Sequence, residues 1–130
     1  GFDAKGIEII QAENTRKKLF IEMENFFKLH DFLICPSASV SPFSVDQPFV
    51  SEIEGKKCET YIDWFSITFA ITMTSCPALS IPCGITKSGL PIGIQVVAPP
   101  GHEPELLNFG IKLQEIFGVS KLLPISPRNH

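Results

Sequence analysis

The chain has 130 residues, 44% hydrophobic and 19% charged, the length and make-up of one ordinary globular domain or of a piece of a larger one. Eleven Lys and Arg against fourteen Asp and Glu leave a net charge of −3 and no basic face, which excludes a nucleic-acid backbone as an electrostatic partner. A mean hydropathy of +0.18 excludes a disordered tail, and no apolar stretch approaches the roughly 20 residues of a membrane span.

Residues 8–30 predict a first helix. Leu19, Phe20, Met23, Phe26, Phe27 and His30 recur at helical spacing, while Arg16, Lys17, Glu22, Glu24 and Lys28 occupy the opposite side. Asp31 breaks the pattern, and Phe32-Leu33-Ile34-Cys35 predicts a short buried strand stopped by Pro36. Residues 37–57 are rich in serine and contain Pro42, Pro48 and Gly55, which predicts a long loop. For Tyr61 to Met73 periodicity leaves two readings. Phe65, Ile67, Phe69, Ile71 and Met73 alternate with smaller residues as in a strand, whereas Ile62, Phe65, Phe69 and Thr72 share a helical face.

Ala78–Cys83 and Ile92–Val97 predict two strands, and Thr86-Lys87-Ser88-Gly89 between them is turn chemistry, so an antiparallel hairpin is expected with Pro82 at a sheet edge. Glu103-Pro104-Glu105 then opens a helix with acids at its positive end. Leu106, Phe109, Leu113, Ile116 and Phe117 form its apolar face, and Gly118 closes it.

Charge is distributed unevenly along these elements. From Trp64 to His102, thirty-nine residues carry one formal charge, Lys87. Ser66, Thr68, Thr72, Thr74, Ser75, Pro77 and Pro82 interrupt the run, so it reads as the centre of a soluble α/β core with strands covered on both faces. So much uncharged chain in so short a sequence predicts that further layers cover it, and the chain reads as an excised piece of a larger domain.

The residue types that carry chemistry are sparse. Cys35, Cys58, Cys76 and Cys83 form no C-x-x-C and have no histidine at ligand spacing, which predicts free thiols in a reducing, cytoplasmic compartment and no metal site. His30 complements the first helix dipole, His102 precedes a helix as a solvated loop residue, and His130 is terminal. Lys87-Ser88 sits at a hairpin tip, where a lysine stays solvated and does not become a base. Asp63 borders the uncharged run beside the only tryptophan, Trp64, and is either a helix-end cap or a polar reader at a pocket wall.

One segment carries a stronger signal. It reads Thr72-Met73-Thr74-Ser75-Cys76-Pro77-Ala78-Leu79-Ser80-Ile81-Pro82-Cys83-Gly84, then Gly89-Leu90-Pro91-Ile92-Gly93-Ile94-Gln95. This resembles the carboxy-terminal region of the amidase signature family, whose members often read Asn-x-x-Gly-x-Pro-Ala-x-Ser-x-Pro-x-Gly, a short turn, then Gly-Leu-Pro-x-Gly-x-Gln. Upstream, Arg16 and the run His30-Asp31-Phe32-Leu33-Ile34-Cys35-Pro36-Ser37 resemble the family's arginine-bearing helix and the strand after it, and Glu105-Leu106-Leu107 resembles the opening of its last helix. The resemblance covers residues 10–118. Thr72 stands where many members have Asn, and Ser75 where many have Gly.

The resemblance implies an α/β fold, the C-terminal part of a mixed-sheet α/β/α amidase domain with helices packed on a short sheet that contains the hairpin. It favours a helix for Tyr61–Met73. It implies that residues 1–130 form one unit, a fragment of a domain whose Ser–cis-Ser–Lys triad lies upstream in a segment absent here. The parent is then expected to hydrolyse a carboxamide through an acyl-serine, with neither metal nor organic cofactor, and the chain alone to hold no catalytic residue. Asp63, Trp64, Thr72, Ser75 and Cys76 are the expected substrate-pocket residues. The expected partners are a small-molecule amide, with a tRNA-linked one left open, and a second copy paired through open strand edges; no membrane is expected. The alternative is a non-catalytic binding or scaffold module of the same fold.

Overall fold

The computed structural model describes residues 3–118, so His130 lies outside the described residues. Helix α1 (Gly6–Phe27) opens with the Glu8 carboxylate accepting a 2.7 Å hydrogen bond from the Lys5 N–H, which satisfies one end group of the first turn. It ends three residues short of the expected His30, because Lys28 caps it and its N–H donates back to the Asn25 and Phe26 carbonyls. His30 instead stacks on Phe26 with ring centroids 4.4 Å apart. Leu19, Phe20, Met23, Phe26 and Phe27 are half-buried as the spacing predicts, while His30 is exposed.

Strand β1 (Leu33–Pro36) starts one residue later than expected and includes Pro36 as its last residue. The long segment after it is irregular up to a small hairpin, β2 (Glu52–Ile53) and β3 (Lys56–Lys57). This departs from the expected uniform loop over residues 37–57. The cause is local: Glu54 and Gly55 adopt φ of 49° and 77°, the paired left-handed geometry that turns two strands back in two residues. A 2.8 Å bond from the Cys58 N–H to the Ser51 carbonyl closes the hairpin base.

A single 3-10 turn, Asp63–Phe65, leads into α2 (Ser66–Met73), so the ambiguous stretch is helical. Strands β4 (Ala78–Ile85) and β5 (Pro91–Val97) then form the predicted antiparallel hairpin. Its turn is closed by the Thr86 N–H on the Leu90 carbonyl at 2.8 Å, with Gly89 at φ 85°. The described residues form a three-stranded sheet in the order β1-β5-β4, with both neighbours antiparallel to β5.

That order decides the core. Being central, β5 loses its Val96 and Val97 side chains wholly from solvent. On β4, Pro82 pairs with Gly93 and Gly84 with Ile92, which leaves Cys83 as the extra residue of a bulge. Pro82 lacks an N–H and therefore sits on an edge strand of this sheet, as the sequence predicts.

Alternation along β5 sends Ile94 and Val96 to one face and Gly93, Gln95 and Val97 to the other. Helix α3 (Glu103–Phe117) packs on the first face, where Ile81, Val96, Ala98 and Leu106 form the buried core, with Leu79, Ile94, Phe109 and Leu113 against it. Each fully buried aliphatic there contributes about 1.5–3 kcal/mol. Gly110 allows the close approach: a Cβ on it would collide with the Leu79 side chain. Gly118, at φ 64°, caps α3 through its N–H on the Gln114 carbonyl, as read from sequence. Phe32 extends the core by stacking on Phe109 at 4.4 Å. Helices on a small antiparallel sheet give the expected α/β class. No helix among the described residues is long and apolar enough to cross a membrane.

Candidate functional site

Two cavities flank the sheet at the elements that carry the motif. The first, about 570 Å³, lies between residues Pro36–Phe43 of the long loop, Trp64, and the sheet residues Cys83 and Pro91–Ile94. Its loop is anchored where the Ser37 N–H donates to the Gly93 carbonyl at 3.1 Å, extending the β1–β5 pairing. Gly93 keeps that approach open, since a Cβ there would lie 2.8 Å from Ser37 Oγ and 3.1 Å from the Ile81 carbonyl oxygen. The bulge is what turns Cys83 toward this cavity.

Trp64 is the cavity's largest wall residue, and the aromatic cluster around it holds it in place. Its ring meets Phe43 edge-on at 5.5 Å, Tyr61 at 6.0 Å and Phe65 at 5.5 Å. Such contacts contribute about 0.5–1.5 kcal/mol each beyond area burial. Its Nε1 is buried with no hydrogen-bond partner among the described residues.

Asp63, next to it, lines neither cavity. Its Oδ2 accepts 2.8 Å bonds from the Glu59 and Thr60 N–H groups, an arrangement that closes the turn preceding the 3-10 segment. The bond from Thr60 is the main reason its carboxyl is held below the usual aspartate value, with the Glu59 N–H adding to it. Its partners precede it in the chain, so it closes the turn ahead of the 3-10 segment and is neither a helix N-cap nor a wall of these two cavities.

The second cavity, about 430 Å³, lies between the C-terminal turn of α2 and the other face of the sheet. Thr72, Ser75 and Cys76 line it together with Thr68, Ile71, Pro77, Ala78, Gln95 and Glu103. Thus Thr72, Ser75 and Cys76 come together, Trp64 stands at the other cavity, and Asp63 at neither. The α2 turn is tightened by Thr74, 1% exposed, whose Oγ1 donates to the Ile71 carbonyl at 2.6 Å and accepts from the Cys76 N–H at 3.3 Å. Ser75 follows in a left-handed backbone, φ 61°, at the position where glycine is frequent in the resembled motif.

Gln95, Glu103 and the loop serines, quoted above only as parts of motifs and elements, were not among the expected site residues. Gln95 is 5% exposed and donates from Nε2 to the Pro36 carbonyl at 3.2 Å, which ties β5 to β1 through a side chain. A polar residue between Ile94 and Val96 in a central strand was the available signal. Glu103 reaches the cavity because α3 begins beside the end of β5, a proximity with no trace in the local sequence. The serines of residues 37–43 reach the first cavity through one backbone bond to β5.

The four cysteines are unpaired and half-buried. Burial pushes the Cys35 thiol up, partly offset by the Gln95 side chain. Among the described residues no cluster of His, Cys, Asp or Glu is arranged to hold a metal ion.

Known proteins match this arrangement over most of the chain. A glutamyl-tRNA(Gln) amidotransferase subunit of Alkaliphilus metalliredigens is 29% identical over 114 residues, which are 88% of this chain and 22% of that protein. The corresponding subunit of Dehalococcoides mccartyi is 32% identical over 105 residues, covering 81% of this chain and 20% of its own length. Among solved structures, a bacterial aryl acylamidase of the amidase signature enzymes superposes with a TM-score of 0.77 at 20% identity, over 95% of this chain and 27% of that one. A 6-aminohexanoate cyclic dimer hydrolase complexed with substrate superposes with a TM-score of 0.77 at 21% identity, over 94% and 27%. The chain therefore spans about a fifth of the curated relatives' length and about a quarter of these solved chains. The family model described as Amidase matches residues 4–107, and with the motif, the hairpin and the helix order in agreement, this chain belongs to the amidase family.

Proposed function

We propose that the chain is the C-terminal part of an amide hydrolase, and that in the parent it walls the pocket that receives the acyl group of a carboxamide. The observation that carries this reading is the first cavity: apolar and aromatic walls, Trp64 foremost, with a few serine hydroxyls, the usual make-up of a small-molecule site. The reaction is hydrolysis of a carboxamide to a carboxylate and ammonia or an amine. An upstream serine supplies the nucleophile, and this chain supplies walls and scaffold. Thr72, Ser75 and Cys76 line a separate, polar part of the same substrate region, and Asp63 holds the segment that carries Trp64. With a net charge of −3 and no basic face, a small-molecule amide is the substrate class favoured here. The matched relatives' names, which describe components of a glutamyl-tRNA(Gln) amidotransferase, favour a second reading, in which the parent works with partner proteins on a tRNA-linked substrate. The four unpaired thiols support a cytoplasmic setting.

The test uses the full-length parent and two carboxamides that differ in the acyl group. Replacing Trp64→Ala is expected to change the ratio of their kcat/KM values by about 1–3 kcal/mol, because a pocket wall stabilises competing transition states unequally. An unchanged ratio with a large fall in melting midpoint makes Trp64 a packing residue only. The chain by itself is expected to turn over no amide. Turnover that survives alkylation of its thiols overturns that expectation, and a parent lacking the Ser–Ser–Lys segment favours the scaffold alternative.

A further inference from the structure

We propose that Gln95, assisted by Thr68, is a positioning residue that holds the Pro36–Phe43 wall of the first cavity and so sets which acyl groups the cavity admits. The acyl part of this inference rests on the function proposed above; the positioning part does not. Its basis is the way β1 ends. Pro36 pairs with Ile94, and the Ser37 N–H donates to the Gly93 carbonyl at 3.1 Å. Bonded and non-bonded pairs alternate in an antiparallel ladder, so the Ser37–Gly93 bond makes Pro36–Ile94 a non-bonded pair. The Pro36 carbonyl therefore has no ladder partner on β5, and Pro36 has no N–H of its own to offer.

A side chain supplies what the ladder lacks. Gln95 Nε2 donates to the Pro36 carbonyl at 3.2 Å, across 59 positions of sequence. Gln95 is 5% exposed and stands in the central strand opposite Cys35, one register step from the carbonyl it meets. Burying a polar side chain there costs free energy, and a bond to a carbonyl that the ladder leaves free offsets that cost. One residue on, the Ser37 carbonyl accepts from Thr68 Oγ1 at 3.4 Å, a longer and exposed bond from α2. Pro36 and Ser37 are thus held from the sheet and from α2 together.

Beyond that anchor the wall is loosely held. Among the described residues, residues 38–43 make no backbone–backbone hydrogen bond. The far end is fixed by Phe43, whose ring meets Trp64 edge-on at 5.5 Å. Between these points the direction of the chain is set at Pro36 and Ser37, and a small rotation there moves Val40 and Ser41 more than it moves Ser37. Val40 and Ser41 line the cavity with Trp64, whereas Gln95 does not. A change at Gln95 therefore reaches the cavity through the wall alone. Misplacing a positioning group by about 1 Å can alter a rate about a hundredfold.

Trp64 is the chain's only tryptophan, so its fluorescence reports on the wall that meets it. In the chain, well below the unfolding transition, Gln95→Met removes the donor at nearly constant length. It is expected to red-shift the Trp64 emission and to raise its quenching by acrylamide. Thr68→Val is expected to do the same more weakly, and Thr68→Ser, which keeps the hydroxyl, to leave both at wild-type values. Leu113→Ala, on the sheet-facing side of α3, is expected to lower the melting midpoint without moving either signal. In the full-length parent, Gln95→Met is expected to change the kcat/KM ratio of two carboxamides that differ in the acyl group about tenfold. The ratio of two that differ only in the leaving group is expected to stay unchanged. Trp64 signals that ignore both Gln95→Met and Thr68→Val overturn the positioning role; if Gln95→Met does not fold, Thr68→Val against Thr68→Ser decides it alone. Altered Trp64 signals with an unmoved acyl ratio refute the part in specificity. An acyl ratio that Trp64→Ala changes and Gln95→Met does not overturns this inference and leaves the proposed function standing. A parent that hydrolyses no carboxamide sinks that function, and the fluorescence then decides the positioning role.

Discussion

Ser75 keeps a left-handed backbone at φ 61° with a side chain that disfavours it. The conformation is imposed from both sides. Thr74 is buried and bonded into the last turn of α2, and Pro77 must feed β4 in register with Val97, since its carbonyl accepts from the Ala98 N–H at 3.1 Å. Ser75→Gly is therefore expected to raise stability by about 1 kcal/mol, read as a higher urea midpoint at unchanged slope. An unchanged or lower midpoint means that the serine side chain compensates for its backbone. Asp63 gives a pH signature at the same scale. Its folded-state value lies below the ordinary 3.8, chiefly through the Thr60 N–H, so its contribution is fully present above that ordinary value and is lost as pH falls through the lower, folded one. Asp63→Asn is expected to remove that acid-side loss of stability. Acid titrations of wild type and variant that run parallel below pH 4 refute the assignment.

Among the elements, β5 is the one on which the rest depends. It is central, its Val96 and Val97 are wholly buried, and its Gly93 admits the Ser37 loop that forms the first cavity. Gly93→Ala would press a methyl against the Ile81 carbonyl, which is backbone and cannot rotate away. The expected cost is about 1–3 kcal/mol by overpacking, measured as a fall in melting midpoint. Retention of wild-type stability shows instead that the β4 bulge relaxes to take the methyl. Helix α1 is the opposite case. It is 22 residues long yet buries no residue fully, and Ile7, Ile9, Ile10 and Ile21 are each more than 40% exposed. Within this chain its helicity rests on local bonding and on its contact with α2.

At the scale of the whole molecule the exposed apolar surface is the dominant property. Besides the α1 isoleucines, Phe69 and Met73 on α2 and Leu107, Ile111 and Ile116 on α3 stand more than 40% exposed. Both outer strands of the three-stranded sheet are open along one edge within the described residues. Surfaces of this kind associate. The isolated chain is expected to sediment with a mass that rises with concentration and to bind a hydrophobic dye. A monomer at high concentration with little dye binding contradicts this and implies that α1 folds back to cover these faces.

Much of this architecture was readable from local patterns. Helix α3 was legible in extent to its cap, because Pro104, the first-turn acids and Gly118 are local signals of one element, but of its expected apolar face Ile116 and Phe117 stand exposed and only Leu106, Phe109 and Leu113 pack on the sheet. The β4–β5 hairpin was legible for the same reason: its turn residues and flanking alternation lie within about twenty consecutive positions. Tyr61–Met73 was not, since its apolar residues satisfy periods of 2 and 3.6 alike; the 3-10 turn, with the lead-in that Asp63 closes, and the contact with α1 decide it. The sequence determined the motif that carries the family, but not the core: of the uncharged run only Thr74, Ile81, Gln95, Val96, Val97 and Ala98 are buried among the described residues, and Leu106 joins the core from outside it. Only the tertiary structure decided that Trp64 faces one cavity while Thr72, Ser75 and Cys76 face another. The reason is that Trp64 stands ahead of the first turn of α2 and Thr72, Ser75 and Cys76 at its far end, so neighbours in sequence open onto different volumes, whereas Gln95 and Glu103, distant in sequence from the α2 turn, share its wall.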